Sequence, residues 1–249
     1  MSALRAKCPD CRTLTAVAIG PDYQCHSCGR EFAAGLVRVP RAWGDGGETM
    51  ADAARLALPW PEAATIEEDS LDAQLETMAR ELPQRPLVLG GCCCSHVGAV
   101  RELARRHGRI GIVWIDAHGD LNTPESSPSG NAWGMPLRML IDGGDVRAED
   151  VILLEARNLD PPEVEFIAEA GIRQELGDLP ERVYVAVDCD ALAPGELDVF
   201  MPEPGGPSLE RLEAVLAAIP RPVGAGLTGA TWSERNEALL PRLGHALGL

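Results

Sequence analysis

Short runs of consecutive apolar residues alternate along most of the chain with longer segments whose apolar positions recur every three or four residues. Residues 87–89, 110–115, 151–154 and 183–187 are the apolar runs, and each is predicted to be a strand. Strands that are apolar throughout belong to a sheet buried on both faces, which is usually parallel. Val97, Val100, Leu103 and Ala104 fall at helical spacing, with Ser95 predicted as the N-cap and Gly108 as the stop. Leu209, Leu212, Val215 and Leu216 mark a further helix ending before Pro220, and another helical stretch is predicted over 239–249. Alternation of strand and helix gives an α/β sheet with right-handed crossovers. Residues 41–64, rich in Gly, Pro and Ala, carry no readable period.

Composition narrows the class. The 249 residues are 45% apolar and 24% charged, as expected of a packed globular chain. No apolar run approaches the roughly 18 residues of a membrane span, and no secretory signal precedes the first cysteines, so a cytoplasmic location is expected. The net charge of −16 argues against a nucleic-acid binder, since phosphate neutralisation needs clustered cations.

Eight cysteines without an export signal point to metal or reactivity rather than a disulfide framework. Cys8-Pro-Asp-Cys11 and Cys25-His-Ser-Cys28 form a paired C-x-x-C arrangement, the spacing of a zinc ribbon. Two residues between thiolates let each pair close around one face of a metal, and the stretch between the pairs is long enough for two short strands. Four thiolates leave no position open for water, which makes such a zinc structural, with a redox dithiol as the alternative. A ribbon over 1–33 is too small to fold on its own core, so metal would supply much of its stability. Arg5, Lys7, Arg12 and Arg30 against Asp10, Asp22 and Glu31 leave it near neutral, favouring a protein partner over nucleic acid. The α/β domain is expected over 34–249.

In such a sheet chemistry collects at the carboxyl ends of the strands. Two predicted strands run directly into Asp116-Ala-His118-Gly-Asp120 and Asp188-Cys-Asp190. Alternate residues of extended chain share a side, so within each string the acidic and imidazole groups converge. Were the strands neighbours, four carboxylates would meet one imidazole, and each like-charged pair at about 4 Å would repel by roughly 4 kcal/mol at an effective dielectric of about 20. Divalent cations relieve that repulsion, and this donor set suits manganese, iron or zinc. Capping of following loops is the bland alternative for any one of these aspartates.

Val113-Trp-Ile-Asp-Ala-His-Gly-Asp-Leu-Asn-Thr-Pro124, Ser129-Gly-Asn-Ala-Trp-Gly-Met-Pro136, Val187-Asp-Cys-Asp-Ala-Leu-Ala-Pro194 and Pro202-Glu-Pro-Gly-Gly206 resemble the arginase/agmatinase (ureohydrolase) family over most of 85–245. The resemblance implies a three-layer α/β fold with a mostly parallel sheet. It also implies two divalent cations, manganese expected, holding a hydroxide that attacks the carbon of a guanidine or amidine. By position, Asp116 and Asp188 would bridge the ions, His118 and Asp190 would complete one, and Asp120 would bind the other and orient the hydroxide. Asn122, Ser129 and Asn131 match positions near the family's substrate, and family members are commonly homo-oligomers.

The departures shape the expectation. The family's G-G-D-H-S loop, whose histidine is a ligand, reads here Gly90-Gly91-Cys92-Cys93-Cys94-Ser95-His96. Ungapped spacing puts Cys93 at the ligand position; His96 is the rival, and a missing ion is the third outcome. A thiolate is softer than imidazole and shifts preference toward zinc or iron. Cys92, Cys94 and Cys189 read as packing residues. Trp133 replaces a proton-transferring histidine and offers an apolar or cation–π wall, and Gly226-Leu-Thr-Gly-Ala230 lacks the late glutamate, with Glu234 a doubtful substitute. The remaining acidic residues, Glu163 to Glu169 among them, read as solvated surface. The expectation is a metal-dependent hydrolase acting on a C–N bond of a small amidine, guanidine or related substrate, neither arginine nor agmatine. The alternative is an inactive descendant serving as a metal-stabilised binding or regulatory module.

Overall fold

The computed structural model describes residues 5–6, 8, 10–11, 13, 15–19, 22–32, 35–220 and 222–249. Lys7 and Arg12 of the N-terminal charge balance, and the expected domain boundary at 33–34, lie outside the described residues. Four short strands come first: β1 (Arg5–Ala6), β2 (Ala16–Ile19), β3 (Asp22–Cys25) and β4 (Glu31–Phe32), an antiparallel sheet in that order. Their small core holds Cys8, Ala16, Tyr23 and Cys25, with Tyr23 stacked on Phe32 at 5.6 Å between ring centroids.

The rest of the chain alternates strand and helix. In order these are β5 (Gly35–Val39), α1 (Glu48–Asp52), β6 (Glu62–Thr65), α2 (Leu71–Glu81), β7 (Pro86–Gly90), α3 (Cys94–His107) and β8 (Gly111–Ile115). Then follow α4 (Pro136–Asp142), β9 (Val151–Leu154), α5 (Pro161–Ala170), β10 (Val183–Asp188), α6 (Leu209–Ala218), β11 (Gly224–Thr228) and α7 (Glu234–Ala246). The seven strands β5–β11 form one sheet in the order β6-β5-β7-β11-β10-β8-β9, every pair parallel.

Alternate strand residues face opposite layers. Val113, Ile115, Val185 and Val187 meet Leu212 and Leu216 of α6 and Leu240 and Leu243 of α7 on one face. Ile112, Trp114, Tyr184 and Ala186 meet Met78, Val97, Val100 and Leu140 on the other. This is the expected three-layer α/β architecture. The small N-terminal sheet packs against the edge strand β6, whose Ala63 joins its core.

Some local expectations are corrected. The N-cap of α3 is Cys93 rather than Ser95, because the Ser95 hydroxyl turns back to donate to the Cys92 carbonyl at 2.5 Å. The last helix starts at Glu234, capped by Ser233, and tolerates Pro241 inside it. Strand β11 has a glycine-rich sequence that carries no apolar signature. Its glycines are required by packing: a Cβ on Gly224 would fall 2.9 Å from the Pro86 ring, and one on Gly226 would fall 2.6 Å from the His96 ring.

Helix α3 is anchored at its far end. Glu102, 2% exposed in its side chain, receives Arg105 Nε and Nη2 and Arg106 Nε, each at 2.7 Å. Arg106 also donates to the carbonyls of Leu82 and Pro83 after α2. Burial alone would raise the Glu102 carboxyl, but these two guanidinium groups hold it below its ordinary value. A depressed folded-state value stabilises above the unfolded pKa and is lost as pH falls through the acidic range. Glu102→Gln is therefore expected to lower unfolding free energy by about 1–3 kcal/mol at neutral pH. The deficit should shrink toward zero as thermal melts are taken below about pH 4, the ordinary carboxylate range.

Candidate functional site

Strands β8 and β10 are neighbours and end side by side, which meets the condition under which the two acidic strings come together. His118 Nδ1 lies 3.3 Å from Asp116 Oδ1 and 3.2 Å from Asp190 Oδ2. Cys93, entering from the end of β7, donates through Sγ to Asp188 Oδ2 at 3.0 Å, with Asp116 Oδ2 at 3.7 Å. Two groups of donor atoms result, each within 4.8 Å: Cys93, Asp116 and Asp120, and Asp116, His118 and Asp190. Asp116 belongs to both. Asp188 touches the first group through Cys93.

Main-chain donors fix the carboxylates. His118 N donates to Asp116 Oδ1 at 2.8 Å, Asp190 N to Asp188 Oδ1 at 3.0 Å, and Ala117 N to Asp190 Oδ1 at 3.2 Å. Trp114 Nε1 donates to Asp116 Oδ2 at 3.2 Å. Asp120 sits in the left-handed region with φ 52°, a conformation that costs a non-glycine residue roughly 1 kcal/mol and often marks a functional position.

The electrostatics of the cluster are those of a site for cations. Burial and the charge of Asp116 raise the Asp120 carboxyl well above its ordinary value and push Asp188 up to about 6. Burial and Asp188 push Asp190 up to about 8. Burial works against a charged His118, yet Asp116 and Asp190 push it up to about 12; burial also opposes ionised Asp116, but His118 carries that carboxyl below its ordinary value. The polypeptide thus offers one imidazolium among four buried carboxyl groups, and their crowding keeps protons on some of them. Asp120 Oδ2 is buried with no hydrogen-bond partner among the described residues, an expensive state for a carboxylate unless a cation completes it. Carboxylate, imidazole and thiol donors at these separations fit divalent ions of the manganese, iron and zinc group.

The cluster floors a cavity of about 200 Å³, walled by Asn122, Ser129, Trp133, Asp160, Glu163 and Phe200. Trp133 packs edge-on against Phe200 at 5.9 Å and rests on Gly44, where a Cβ would fall 2.4 Å from its ring. Asn122 donates to Asp160 Oδ2 at 2.8 Å and accepts from Ser126 at 2.8 Å.

Several expectations change here. Asn131 does not line the cavity: after the Gly130 turn its Oδ1 accepts from Asp45 N at 3.0 Å. His96 does not face the cluster; its nitrogens meet Tyr184 Oη and Thr228 Oγ1, and burial lowers it to about 3, so it is neutral. Glu163 is not solvated surface. It is 3% exposed and accepts from Leu121 N and Asp160 N, both at 2.9 Å. Asp160 and Glu163 form a capping box at the start of α5, and that ordinary helix signal concealed their place beside the cavity. Phe200 gave no sequence signal. Gly229 takes the stretch where a late glutamate was sought; at φ 73° a Cβ there would fall 1.9 Å from the Asp188 carboxylate, so no side chain fits. Glu234 stands at the start of α7, outside the cavity lining. All eight cysteines are free, with Cys92, Cys94 and Cys189 buried.

Arg157 ties the loops around the cluster together. Its guanidinium donates to five carbonyls, those of Glu155, Asp190, Ala191, Glu203 and Pro204, at 2.9–3.2 Å.

A second donor cluster lies in the N-terminal sheet, where the sulfurs of Cys8, Cys11, Cys25 and Cys28 all fall within 4.8 Å. The Thr15 hydroxyl, 3.4 Å from Cys25 Sγ, holds that thiol down to about 5, so it is a thiolate at neutral pH.

Comparison with known proteins supplies a framework for the larger site. The family model described as Arginase family matches residues 49–230. Arginase of Staphylococcus aureus strain COL is 42% identical over 98 residues, which is 35% of this chain and 32% of that protein. Arginase of Bacillus caldovelox is 34% identical over 143 residues, 45% of this chain and 48% of that protein. The chain therefore spans about a third to a half of the length of these curated relatives. Among solved structures, arginase from Bacillus subtilis superposes with a TM-score of 0.78 at 22% identity, over 87% of this chain and 98% of that one. The Streptomyces clavuligerus proclavaminate amidino hydrolase gives 0.69 at 19%, over 86% and 85%. Seven parallel strands in three layers, two acidic strings meeting at the strand ends and a family match across most of the α/β region lead to one conclusion: the chain belongs to the arginase family.

Proposed function

We propose that the cavity is the active site of a metal-dependent hydrolase that cleaves a C–N bond of a small amidine, guanidine or related compound. The observation that carries this reading is the sharing of Asp116 between two donor groups, which is the arrangement two adjacent cations need. Asp116, His118 and Asp190 would hold one ion. Asp116, Asp120, Asp188 and Cys93 would hold the other, the thiol favouring zinc or iron more than imidazole would. Two divalent cations bound there would lower the pKa of water toward about 7 and withdraw charge from the carbon under attack.

The chain's own groups do the rest. Asp120, with one oxygen unengaged by protein, is the acceptor for the proton of the attacking water. Asp160, steadied by Asn122, and Ser129 offer acceptors for substrate N–H groups. Trp133 and Phe200 wall the cavity and restrict water. Gly229 leaves no carboxylate where the family resemblance placed one, which fits a substrate other than arginine or agmatine.

The four-cysteine cluster is read as a structural zinc ribbon over about residues 1–33, closed by Cys8, Cys11, Cys25 and Cys28.

The test reconstitutes the protein separately with manganese, zinc and iron and screens guanidino, formimino and amide compounds for urea or ammonia release. Turnover should require cleft metal. On whichever compound responds, Asp120→Asn should lower kcat by about 10²- to 10⁴-fold with KM little changed. Full cleft occupancy with no turnover across the panel would favour the second reading, a catalytically inactive binding or regulatory module, which the aromatic wall at Trp133 and the bare Gly229 support.

A further inference from the structure

Behind the cleft a line of hydrogen bonds runs through buried groups that no step above uses. Tyr184 Oη lies 3.0 Å from His96 Nδ1, and His96 Nε2 lies 3.3 Å from Thr228 Oγ1. Thr228 Oγ1 lies in turn 3.1 Å from Asp188 Oδ2 and 3.2 Å from Cys93 Sγ. All five residues are buried.

One assignment of protons carries a single direction along the whole line. A neutral imidazole has one donor and one acceptor. If the Tyr184 phenol donates to Nδ1, His96 carries its proton on Nε2 and donates it to Thr228 Oγ1. The Thr228 proton is then directed onward to the Asp188 carboxylate. Each bond polarises the next. The neighbourhood is shaped for this contact. Gly226 runs close beside both rings, where a Cβ would fall 2.6 Å from His96 and 2.7 Å from Tyr184 Oη. Trp114 packs edge-on against His96 at 5.2 Å while its Nε1 serves Asp116.

We propose that His96 is a positioning residue for the cleft: acting through Thr228, it sets the Asp188 carboxylate and the Cys93 sulfur in the arrangement that receives a divalent cation. This rests on the reading of Asp188 and Cys93 as ligands. The physical reason lies in the alternative open to Thr228. Its hydroxyl has a second carbonyl acceptor, Val187 O at 3.3 Å, and without the donor from His96 it is free to turn there and release Asp188. Groups that orient metal ligands in this way typically change affinity by about 10- to 100-fold when removed.

The test titrates cobalt(II) into the full chain, with zinc retained in the four-cysteine cluster and verified by elemental analysis. Affinity and the near-ultraviolet thiolate-to-cobalt band are both read, and Cys93→Ser identifies the band. Thr228→Val, which keeps the shape, and His96→Phe should each weaken cobalt binding by about 10- to 100-fold and diminish the band. Thr228→Ser, which keeps the hydroxyl, should restore both. A purely structural role would move the melting temperature of Thr228→Val while leaving the band intact. Wild-type affinity and band in Thr228→Val would overturn the proposal even with the Cys93 dependence standing. A wild-type protein that takes up no cobalt, or whose band survives Cys93→Ser, would instead overturn the ligand reading and this inference with it.

Discussion

Asp116→Ala is expected to remove the cleft metal while leaving one zinc per chain in the four-cysteine cluster. Asp116 is the residue common to both donor groups, so its loss takes an oxygen from each at once. Elemental analysis of wild type and variant, purified identically, reads the difference directly. Turnover on any responding compound should fall by at least about a thousand-fold, because water returns from a pKa near 7 to its free value of about 15.7. Equal metal content in both proteins would remove the basis of the hydrolytic reading.

Cys25→Ser is expected to have the opposite selectivity. Cys25 is buried in the small N-terminal core, already ionised beside Thr15, and within reach of the other three sulfurs. A segment with so small a core depends on its metal for folding. The zinc of this cluster should fall from about one per chain to near zero, and limited proteolysis should cut within the first 33 residues while the α/β region persists. Cleft metal should be unchanged. Because Ala63 of β6 packs into this core, melting of the ribbon should also expose the apolar surface joined there, and the variant should aggregate more readily than wild type. Retention of zinc and of protease resistance would show that the cysteines are not the closing ligands.

Much of the architecture is legible because burial on both faces writes itself into a strand as an unbroken apolar run, as in β8, β9 and β10. It fails where packing demands the reverse. β11 needs glycines so that Pro86, His96 and Tyr184 can approach, and a strand built of glycine and alanine looks like loop. At the cleft, Asp116, His118, Asp188 and Asp190 are readable because they follow recognisable strands with a period of two. Asp160 and Glu163 are not, because the same pair satisfies a helix terminus and nothing local distinguishes the two duties. Asn131 was placed by motif alone, and the left-handed Gly130 beside it turns the side chain away. His96 looked like a ligand by proximity in sequence, whereas one turn of α3 carries it behind the sheet end.

Arg157 has a consequence for how such a cleft can diversify. With all its donors engaged by carbonyls, that guanidinium has none left for a ligand, and the loops bearing Glu155, Asp190 and Glu203 are bound to shift together or not at all. The opposite rim, residues 122–134, is held by side-chain hydroxyls such as those of Ser126, Ser127 and Ser129, whose bonds stay within that rim. New selectivity is therefore expected to arise by mutation on that rim, while the clamped side is inherited unchanged.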